Sequence, residues 1–206
     1  MIDHPPPLVL ASASPRRRDL LATAGAKFEV EPSNFDENSV RDLPPRRQAL
    51  RAARGKALDV HARRRRDWVV GCDTVVVIDG ESLGKPGSPR EAGRMLRRLS
   101  GRDHSVITAV CVVAPDGRRR SAASSSRVRV KALAPGRVDA YVATGEPLDK
   151  AGAYAIQGAA REFTRVISGR VDTVVGLPVS LLGRLLGQLG YPAGHTLSAN
   201  LDPARE

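Results

Sequence analysis

The sequence predicts an α/β fold in which helices flank a largely mixed or antiparallel sheet. Short apolar runs that suit buried strands alternate with segments whose apolar residues recur at helical spacing. Two later strand candidates are joined through a tight turn at Asp116-Gly117, which is typical of an antiparallel pair. The chain has 206 residues, of which 41% are hydrophobic, enough to bury the core of one domain of ordinary size.

Each predicted element has a local reason. Apolar runs predict strands at 8–11, 27–32, 68–80, 163–167 and 171–175, with two more within 105–133. Helical spacing predicts helices at 15–24, 45–66, 88–99, 135–144 and 178–189. The third helix has the clearest ends, since Ser88 can cap it, Glu91 completes a capping box and Gly101 ends it. We expect one domain over residues 1–190 and a mobile tail at 191–206, which lacks apolar periodicity.

Arginine dominates the positive charge of the chain. The formal net charge is +11, and only five of the 33 basic residues are lysines. The arginine runs at 63–66 and 118–120 are interpreted as solvated surface, because no aromatic residues interleave to stack on bases. No specific nucleic acid is therefore expected as a partner. The scarce lysines are more informative, since Lys56, Lys85 and Lys150 lie inside patterned segments.

The remaining composition predicts a cytoplasmic protein with no membrane segment. Cys72 and Cys111 lie in apolar runs, which fits a reducing compartment, and Cys72 is interpreted as a core residue. The N-terminus lacks the basic region of a signal peptide, and no apolar run approaches the ~18 residues of a membrane span. The four histidines show no metal-ligand spacing, so a zinc site is not expected.

The segment LASASPRRRDLL, residues 10–21, concentrates positive charge beside a small-residue turn. A strand, a turn and a helix start in this order present backbone N–H groups to an anion. Ser12 and Ser14 add hydroxyl donors, while Arg16 and Arg17 add forked cations that match a phosphate. The pattern fits phosphate binding and a plain helix cap, with Ser14 before Pro15, about equally.

A carboxylate interrupts the apolar run VVGCDTVVV. Asp73 would be costly to bury there unless it is paired with a cation or bound to a metal, so it is a candidate functional residue. The alternative is that Asp73 and Thr74 mark a bulge at a strand end. Asp36 and Glu37, in the polar loop SNFDENSVRD, could supply a second carboxylate, although loop charges of this kind are more often solvated.

Two short motifs in GESLGKPGS, residues 80–88, are poor matches to known sites. Gly84-Lys85 resembles a Walker loop, but Asp79 stands where the first glycine is required and Pro86 replaces the hydroxyl residue. The letters around Ser82 match G-x-S-x-G, yet a nucleophile elbow needs a helix directly after the serine, which Pro86-Gly87 prevents. Lys85 is better interpreted as a cation held by a rigid loop.

The glycine-rich segment EPLDKAGAYAIQGAA predicts a functional loop rather than an ordinary connection. Its glycines allow the backbone to come close to a ligand, and its polar residues are spaced along an unusually long connection. The candidate ligand-binding residues in this loop are Asp149, Lys150 and Gln157.

Five ordered segments together resemble one family, the Maf nucleotide pyrophosphatases. They are LASASPRRRDLL, GCDTVVVIDGESLGKP, MLRRLSGRDHSVITAV, EPLDKAGAYAIQG and VVGLPVSLL, and they cover about residues 8–189. Cys72 and the stretch AIQGAAREF depart slightly from the family pattern, and the charged positions are intact. The resemblance implies an elongated, ITPase-like α/β fold with two lobes around a central cleft, and a homodimer.

The resemblance also implies a reaction and a set of residue roles. A nucleoside triphosphate would be hydrolysed to the monophosphate and pyrophosphate with a divalent cation, Mg²⁺ or Mn²⁺. Asp73 matches the general base, and Glu37, with Asp73, matches the metal-side carboxylates. The residues that match the phosphate-binding and catalytic cations, with their hydroxyl partner, are Ser12, Arg17, Lys56 and Lys85.

Three positions distinguish subclasses within this family, and here they are Arg16, Thr74 and Gln157. This combination resembles the dTTP/UTP type, which implies pyrimidine triphosphates, including 5-modified ones, as substrates. The implied role is cleaning of the nucleotide pool, with a link to arrest of cell division. A non-catalytic nucleic-acid or septum-binding protein and a serine hydrolase that uses Ser82 remain as alternatives.

Overall fold

The computed structural model describes residues 7–192, which form seven strands and six α-helices. The strands are β1 (Leu8–Leu10), β2 (Phe28–Val30), β3 (Trp68–Ile78), β4 (Glu81–Leu83), β5 (Asp103–Val113), β6 (Arg119–Val130) and β7 (Thr164–Ser168). The helices are α1 (Pro15–Thr23), α2 (Pro45–Arg63), α3 (Pro89–Leu99), α4 (Pro135–Ala143), α5 (Val171–Val175) and α6 (Val179–Leu189). Short 3₁₀ turns lie at Glu37–Val40, Glu146–Asp149, Ala151–Ala153 and Ala159–Glu162.

The strands form one mixed sheet. Their order is β2-β1-β3-β5-β6-β7, and β4 pairs with β3 off this path. β1 runs parallel to both β2 and β3, whereas β4 is antiparallel to β3 and β7 is antiparallel to β6. The predicted α/β class with a mixed sheet and flanking helices is therefore confirmed.

The segment 171–175 is a helix, so the predicted strand there is wrong. Its β-branched residues favour a strand, but tertiary contacts override that preference. The Ser126 hydroxyl accepts the N–H of Arg170 and donates to its carbonyl, which fixes the chain just before the helix. The carboxylate of Asp172, in the first turn, is buried and pairs with the Arg170 guanidinium at 3.1 Å.

Several boundaries also differ from the sequence prediction. β4 was not predicted, because three residues are too short for a periodic signal. It is joined to β3 by a tight hairpin turn, in which Asp79 and Gly80 both adopt the positive φ that a type I′ turn requires. α2 ends at Arg63 instead of continuing to residue 66. Ser88 caps α3 through the Glu91 N–H as expected, but the Glu91 carboxylate accepts from Gly87 N–H, so the reciprocal half of the capping box is shifted by one residue.

The chain divides into two compact units. Among the described residues, the first comprises 7–73, 108–124 and 176–192, and the second comprises 74–107 and 125–175. In the first unit, the buried residues of β1 and the alanine face of α2 contribute to the core. In the second, residues of β3 and β4 pack with α3, α4 and the 146–163 segment. The ring of Tyr141, in α4, contacts the ring of Phe163, in that segment, edge to face.

Other sequence expectations concern the ends and the cysteines. Of the tail predicted to be mobile, residues 193–206 lie outside the described residues, while the Tyr191 ring packs edge-on against Trp68. Both cysteines are buried free thiols, which confirms Cys72 as a core residue; burial raises the pKa of its thiol to about 11. Within residues 7–192, no helix combines the length and apolar character needed to cross a bilayer.

Candidate active site

The turn between β1 and α1 forms the first part of the site, in the first unit. Ser12 is buried, and its hydroxyl accepts a hydrogen bond from the Arg17 guanidinium at 3.0 Å. Arg17 also donates from Nε to the carbonyl of Gly176 at 3.0 Å. Ser14 occupies the N-cap position, but its hydroxyl makes no cap hydrogen bond. Ser14 and Pro15 therefore hold the positions that a plain cap predicts, but without the side-chain cap bond. Ser12 and Arg17, both expected to bind phosphate, lie in contact.

Arg16 and Ser14 lie in the same turn, and the Ser14 N–H donates a hydrogen bond to the Ser12 hydroxyl at 3.2 Å. Both are half-buried, and Arg16 belongs to the first turn of α1. Adjacent residues on a helix point about 100° apart, so Arg16 and Arg17 face different directions. This geometry favours different tasks for the two arginines.

A buried ion pair between α2 and β3 forms the centre of the site. The Lys56 ammonium lies 2.7 Å from Oδ1 of Asp73, and both side chains are only 9% exposed. Asp73 lies within β3, so the alternative that it marks a strand end is wrong. The expectation that a carboxylate in this apolar run must be paired is therefore confirmed.

Glycine at position 71 allows the helix and the strand to approach this closely. A Cβ atom built on Gly71 would lie 2.2 Å from the carbonyl oxygen of Ala53, far inside van der Waals contact. Ala53 lies three residues, just under one turn, before Lys56 on α2. Gly71 lies two residues before Asp73 on the same face of β3. The backbone contact therefore sets the spacing at which ammonium and carboxylate meet.

Glu37 is brought to the same lysine by an ordered loop. Its Oε1 lies 2.7 Å from the Lys56 ammonium, although half of its side chain is exposed. The Phe35 ring lies against Gly55 on α2, where a Cβ atom would be 2.2 Å from the ring. Asp59 accepts hydrogen bonds from Ser33 and from the Asn34 N–H, which fixes the start of the loop. Glu37 is therefore not a freely solvated loop charge.

The groups around Asp73 act in opposite directions on the pKa of its carboxyl group. Burial raises the pKa of the Asp73 carboxyl above its ordinary value, and the like charge of Glu37 acts in the same direction. The Lys56 ammonium opposes the rise, and the Arg17 guanidinium does so to a smaller extent. Such opposing influences are typical of a carboxyl group whose protonation matters for chemistry.

The other predicted residues belong to the second unit. Thr74 follows Asp73 directly in β3 and is half-buried, and Lys85 is exposed in the loop after β4. Lys150 is only 14% exposed and pairs with Asp149. Gln157 is exposed in the turn that precedes the last 3₁₀ segment.

The alternative functions find little support in the geometry. In the 63–66 run, Arg63 pairs with Glu31 and Asp59, and Arg64 pairs with Glu29 and Asp67, so these guanidinium groups are neutralised in part. Ser82 lies inside the three-residue strand β4, not at a strand–helix elbow. Its hydroxyl oxygen is buried and makes no hydrogen bond with any described residue, so no general base contacts it.

Comparison with known proteins identifies the family. Residues 7–189 match the family described as "Maf-like protein", which is nearly the whole described chain. The chain belongs to the Maf family. The matched range agrees with the span over which the five sequence segments resemble this family.

Two curated relatives have similar lengths to this Maf chain. The "dTTP/UTP pyrophosphatase" of Moorella thermoacetica is 49% identical over 184 residues, covering 89% of this chain and 95% of that protein. The protein of the same name from Gloeobacter violaceus is 47% identical over 181 residues, covering 88% and 95%. Among solved structures, a "Nucleoside-triphosphatase / dITP/XTP pyrophosphatase" from Mycobacterium abscessus shares 15% identity over 61% of this chain and 74% of that chain, with a TM-score of 0.37.

The sequence does not point to several residues that shape the candidate site. Phe35, Gly55 and Gly71 carry no reactive group, and their importance rests on contacts between segments distant in sequence. The glycines offered a weak signal, because a glycine inside a helix or strand can mark close backbone approach. Tyr141 and Glu146, which contact the segment around Gln157, offered no comparable signal.

Proposed function

We propose that this Maf protein hydrolyses dTTP and UTP, and 5-modified pyrimidine triphosphates, to the monophosphate and pyrophosphate. The observation that carries the proposal is the buried Asp73–Lys56 pair with Glu37 on the same ammonium. It supplies a carboxylate that can accept a proton beside cations that suit a polyanion. The names and identity of the curated relatives support dTTP and UTP as substrates.

In the proposed reaction, Asp73 acts as the general base. Its carboxylate takes a proton from water as the water oxygen bonds to the α-phosphorus, and the bond from that phosphorus to the bridging oxygen breaks. Pyrophosphate leaves with the electron pair. Because burial raises the pKa of Asp73, the carboxylate is a stronger base than an exposed aspartate. Lys56, Lys85 and Arg17 are proposed to stabilise the negative charge on the phosphoryl oxygens.

The donor chemistry of Glu37 and Asp73 fits Mg²⁺ or Mn²⁺. Such ions are held by one or two carboxylates together with substrate phosphates and water. Within residues 7–192, no group of three or more His, Cys, Asp or Glu side chains is clustered to hold a metal alone. The two carboxylates instead share the Lys56 ammonium. We therefore propose that Glu37 and Asp73 hold a divalent cation that arrives with the triphosphate, where it would neutralise phosphate charge.

Product analysis in ¹⁸O-water tests this reaction. With Mg²⁺ or Mn²⁺, the purified protein is expected to convert dTTP to dTMP and pyrophosphate, with the label in dTMP because water attacks the α-phosphorus. Mass spectrometry of both products gives the position of the label. Label in pyrophosphate, or orthophosphate as the first product, would contradict the proposal. Release of no pyrophosphate would favour the alternative of a non-catalytic binding protein.

Base selectivity is proposed to depend on Arg16, Thr74 and Gln157. A glutamine side chain both donates and accepts, so it suits a pyrimidine edge that presents an N–H and carbonyl oxygens. The resemblance to the family implies a second type that acts on 7-methyl-GTP and has an aromatic residue, a glutamine and a glutamate at these three positions. Replacing the three with Trp, Gln and Glu is therefore expected to lower kcat/KM for dTTP and raise relative activity on 7-methyl-GTP. The selectivity at stake is about 1–3 kcal/mol per hydrogen-bonded contact. An unchanged ratio in a folded, active triple variant would show that these residues do not read the base.

A further inference from the structure

The turn that carries Gln157 is held at both ends by one carboxylate. Oε1 of Glu146 accepts a hydrogen bond from the Tyr141 hydroxyl at 2.7 Å, and that hydroxyl accepts the N–H of Ala155 at 3.2 Å. Oε2 of Glu146 accepts the N–H of Ala159 at 3.1 Å. The Gly158 N–H donates to the Ala155 carbonyl at 3.0 Å and closes the turn. Glu146 therefore bridges the two sides of the turn that Gln157 occupies.

The neighbouring residues are suited to this bridge. A Cβ atom on Gly158 would lie 2.2 Å from Oε1 of Glu146, so only glycine lets the carboxylate come this close. The φ of Gly158 is −96°, which any residue can adopt, so space alone explains the glycine. Tyr141 is 5% exposed and its ring packs against Phe163, which fixes the hydroxyl from the core side.

We propose that Glu146, supported by Tyr141, is a positioning residue that sets the location of Gln157 and thereby the selectivity for the base. This inference rests on the proposed function, in which Gln157 contacts the base. Glu146 itself is not proposed to touch substrate. Its Oε2 holds the backbone after Gln157 directly, and its Oε1 holds the backbone before it through the Tyr141 hydroxyl. Without this support the exposed Gln157 side chain would sample several positions.

The Glu146→Gln variant tests the proposal because it keeps the shape and removes one of the two acceptor oxygens. We expect faster amide hydrogen exchange across residues 155–159 and a loss of roughly tenfold in kcat/KM for dTTP, typical of removing a hydrogen bond to a charged group. The loss should lie mainly in KM, and the ratio of kcat/KM for dTTP to that for dCTP should fall. Tyr141→Phe, which keeps the ring, should change the ratio in the same direction, and the double variant should add little.

Glu162→Gln is the matched control. Glu162 belongs to the same loop, but its exposed carboxylate pairs with Arg137 and does not contact the 155–159 turn in the observed hydrogen bonds. This variant should keep both the base ratio and the exchange pattern of the wild type. A merely structural role for Glu146 would lower activity on all substrates equally.

Two results would overturn the inference. One is a Glu146→Gln protein with unchanged exchange at 155–159; the other is faster exchange with an unchanged base ratio, while Gln157→Glu does change that ratio. Failure of the proposed function gives a different result, since the wild type would then release no pyrophosphate from dTTP. In that case the selectivity role falls with it.

Discussion

The Asp73→Asn variant is expected to keep its fold and to lose roughly 10²-fold or more in kcat for dTTP. The amide cannot accept the proton of the attacking water. Burial disfavours the charged form of Asp73 and thereby raises its pKa above the ordinary 3.8. A neutral amide is cheaper to bury, and Lys56 keeps Glu37 as a partner, so the free energy of unfolding at pH 7 should be no lower than that of the wild type.

The sign of the pH dependence follows from the same shift. The raised pKa of Asp73 stabilises the wild-type fold only while the group is protonated, and this stability is lost as pH rises from about 3.8 through the folded value. Any stability advantage of Asp73→Asn should therefore shrink as the pH falls towards 4. Steady-state kinetics and urea unfolding give both quantities. Asp67→Asn, which removes a partly exposed aspartate near the start of β3, is the control, and near-wild-type turnover in Asp73→Asn would exclude the base assignment.

Removing the shared ammonium should have the second large effect. Lys56→Met leaves Asp73 buried without its cation, and breaking a buried pair of this kind costs about 3–5 kcal/mol, less whatever protonation of Asp73 recovers. Because Lys56 lowers the pKa of Asp73, its loss should raise that pKa further, and the acidic limb of the kcat/KM profile should move to higher pH. Activity at pH 7 should fall by roughly 10²-fold or more.

Glu37→Gln should shift the acidic limb of the kcat/KM profile in the opposite direction. Glu37 raises the pKa of Asp73, so its removal should move the acidic limb to lower pH. Lys131→Met removes an exposed ammonium that donates to the Glu162 carbonyl, far from Asp73 in sequence, and should leave the limb in place. Profiles over pH 4–9 with dTTP measure all three. A Lys56→Met limb at the wild-type position, or one displaced to lower pH, would show that Lys56 does not control the base.

Much of the fold could be predicted because local patterns and tertiary contacts agree. The apolar run of β3 and the Ser88 cap of α3 formed where the sequence indicated. The 171–175 segment could not be predicted, since contacts of Ser126 and Arg170, 44 residues apart, oppose its β-branched composition. β4 depends on a two-residue turn and three paired residues, which no periodicity can signal.

The site residues show the same division. Asp73 could be predicted from its residues, because a carboxylate in an apolar run demands a partner. Lys56 could be suspected because lysine is scarce in this chain. Glu37 could not, since its loop resembles ordinary solvated chain, and the contact of Phe35 with Gly55 that orders it joins segments 20 residues apart. From the residues alone, Glu37 is one of two candidates for a second carboxylate, with Asp36, and only the resemblance to the family chooses between them.

The backbone contact at Gly71 makes this position sensitive in a way that its chemistry does not suggest. A single added methyl group there would collide with the Ala53 carbonyl and force α2 away from β3. The ammonium and the carboxylate would then separate without either side chain being altered. Natural variation at position 71 is therefore expected to change the basicity of the Asp73 carboxylate, two residues along the strand. Screens that mutate only charged positions would overlook this effect.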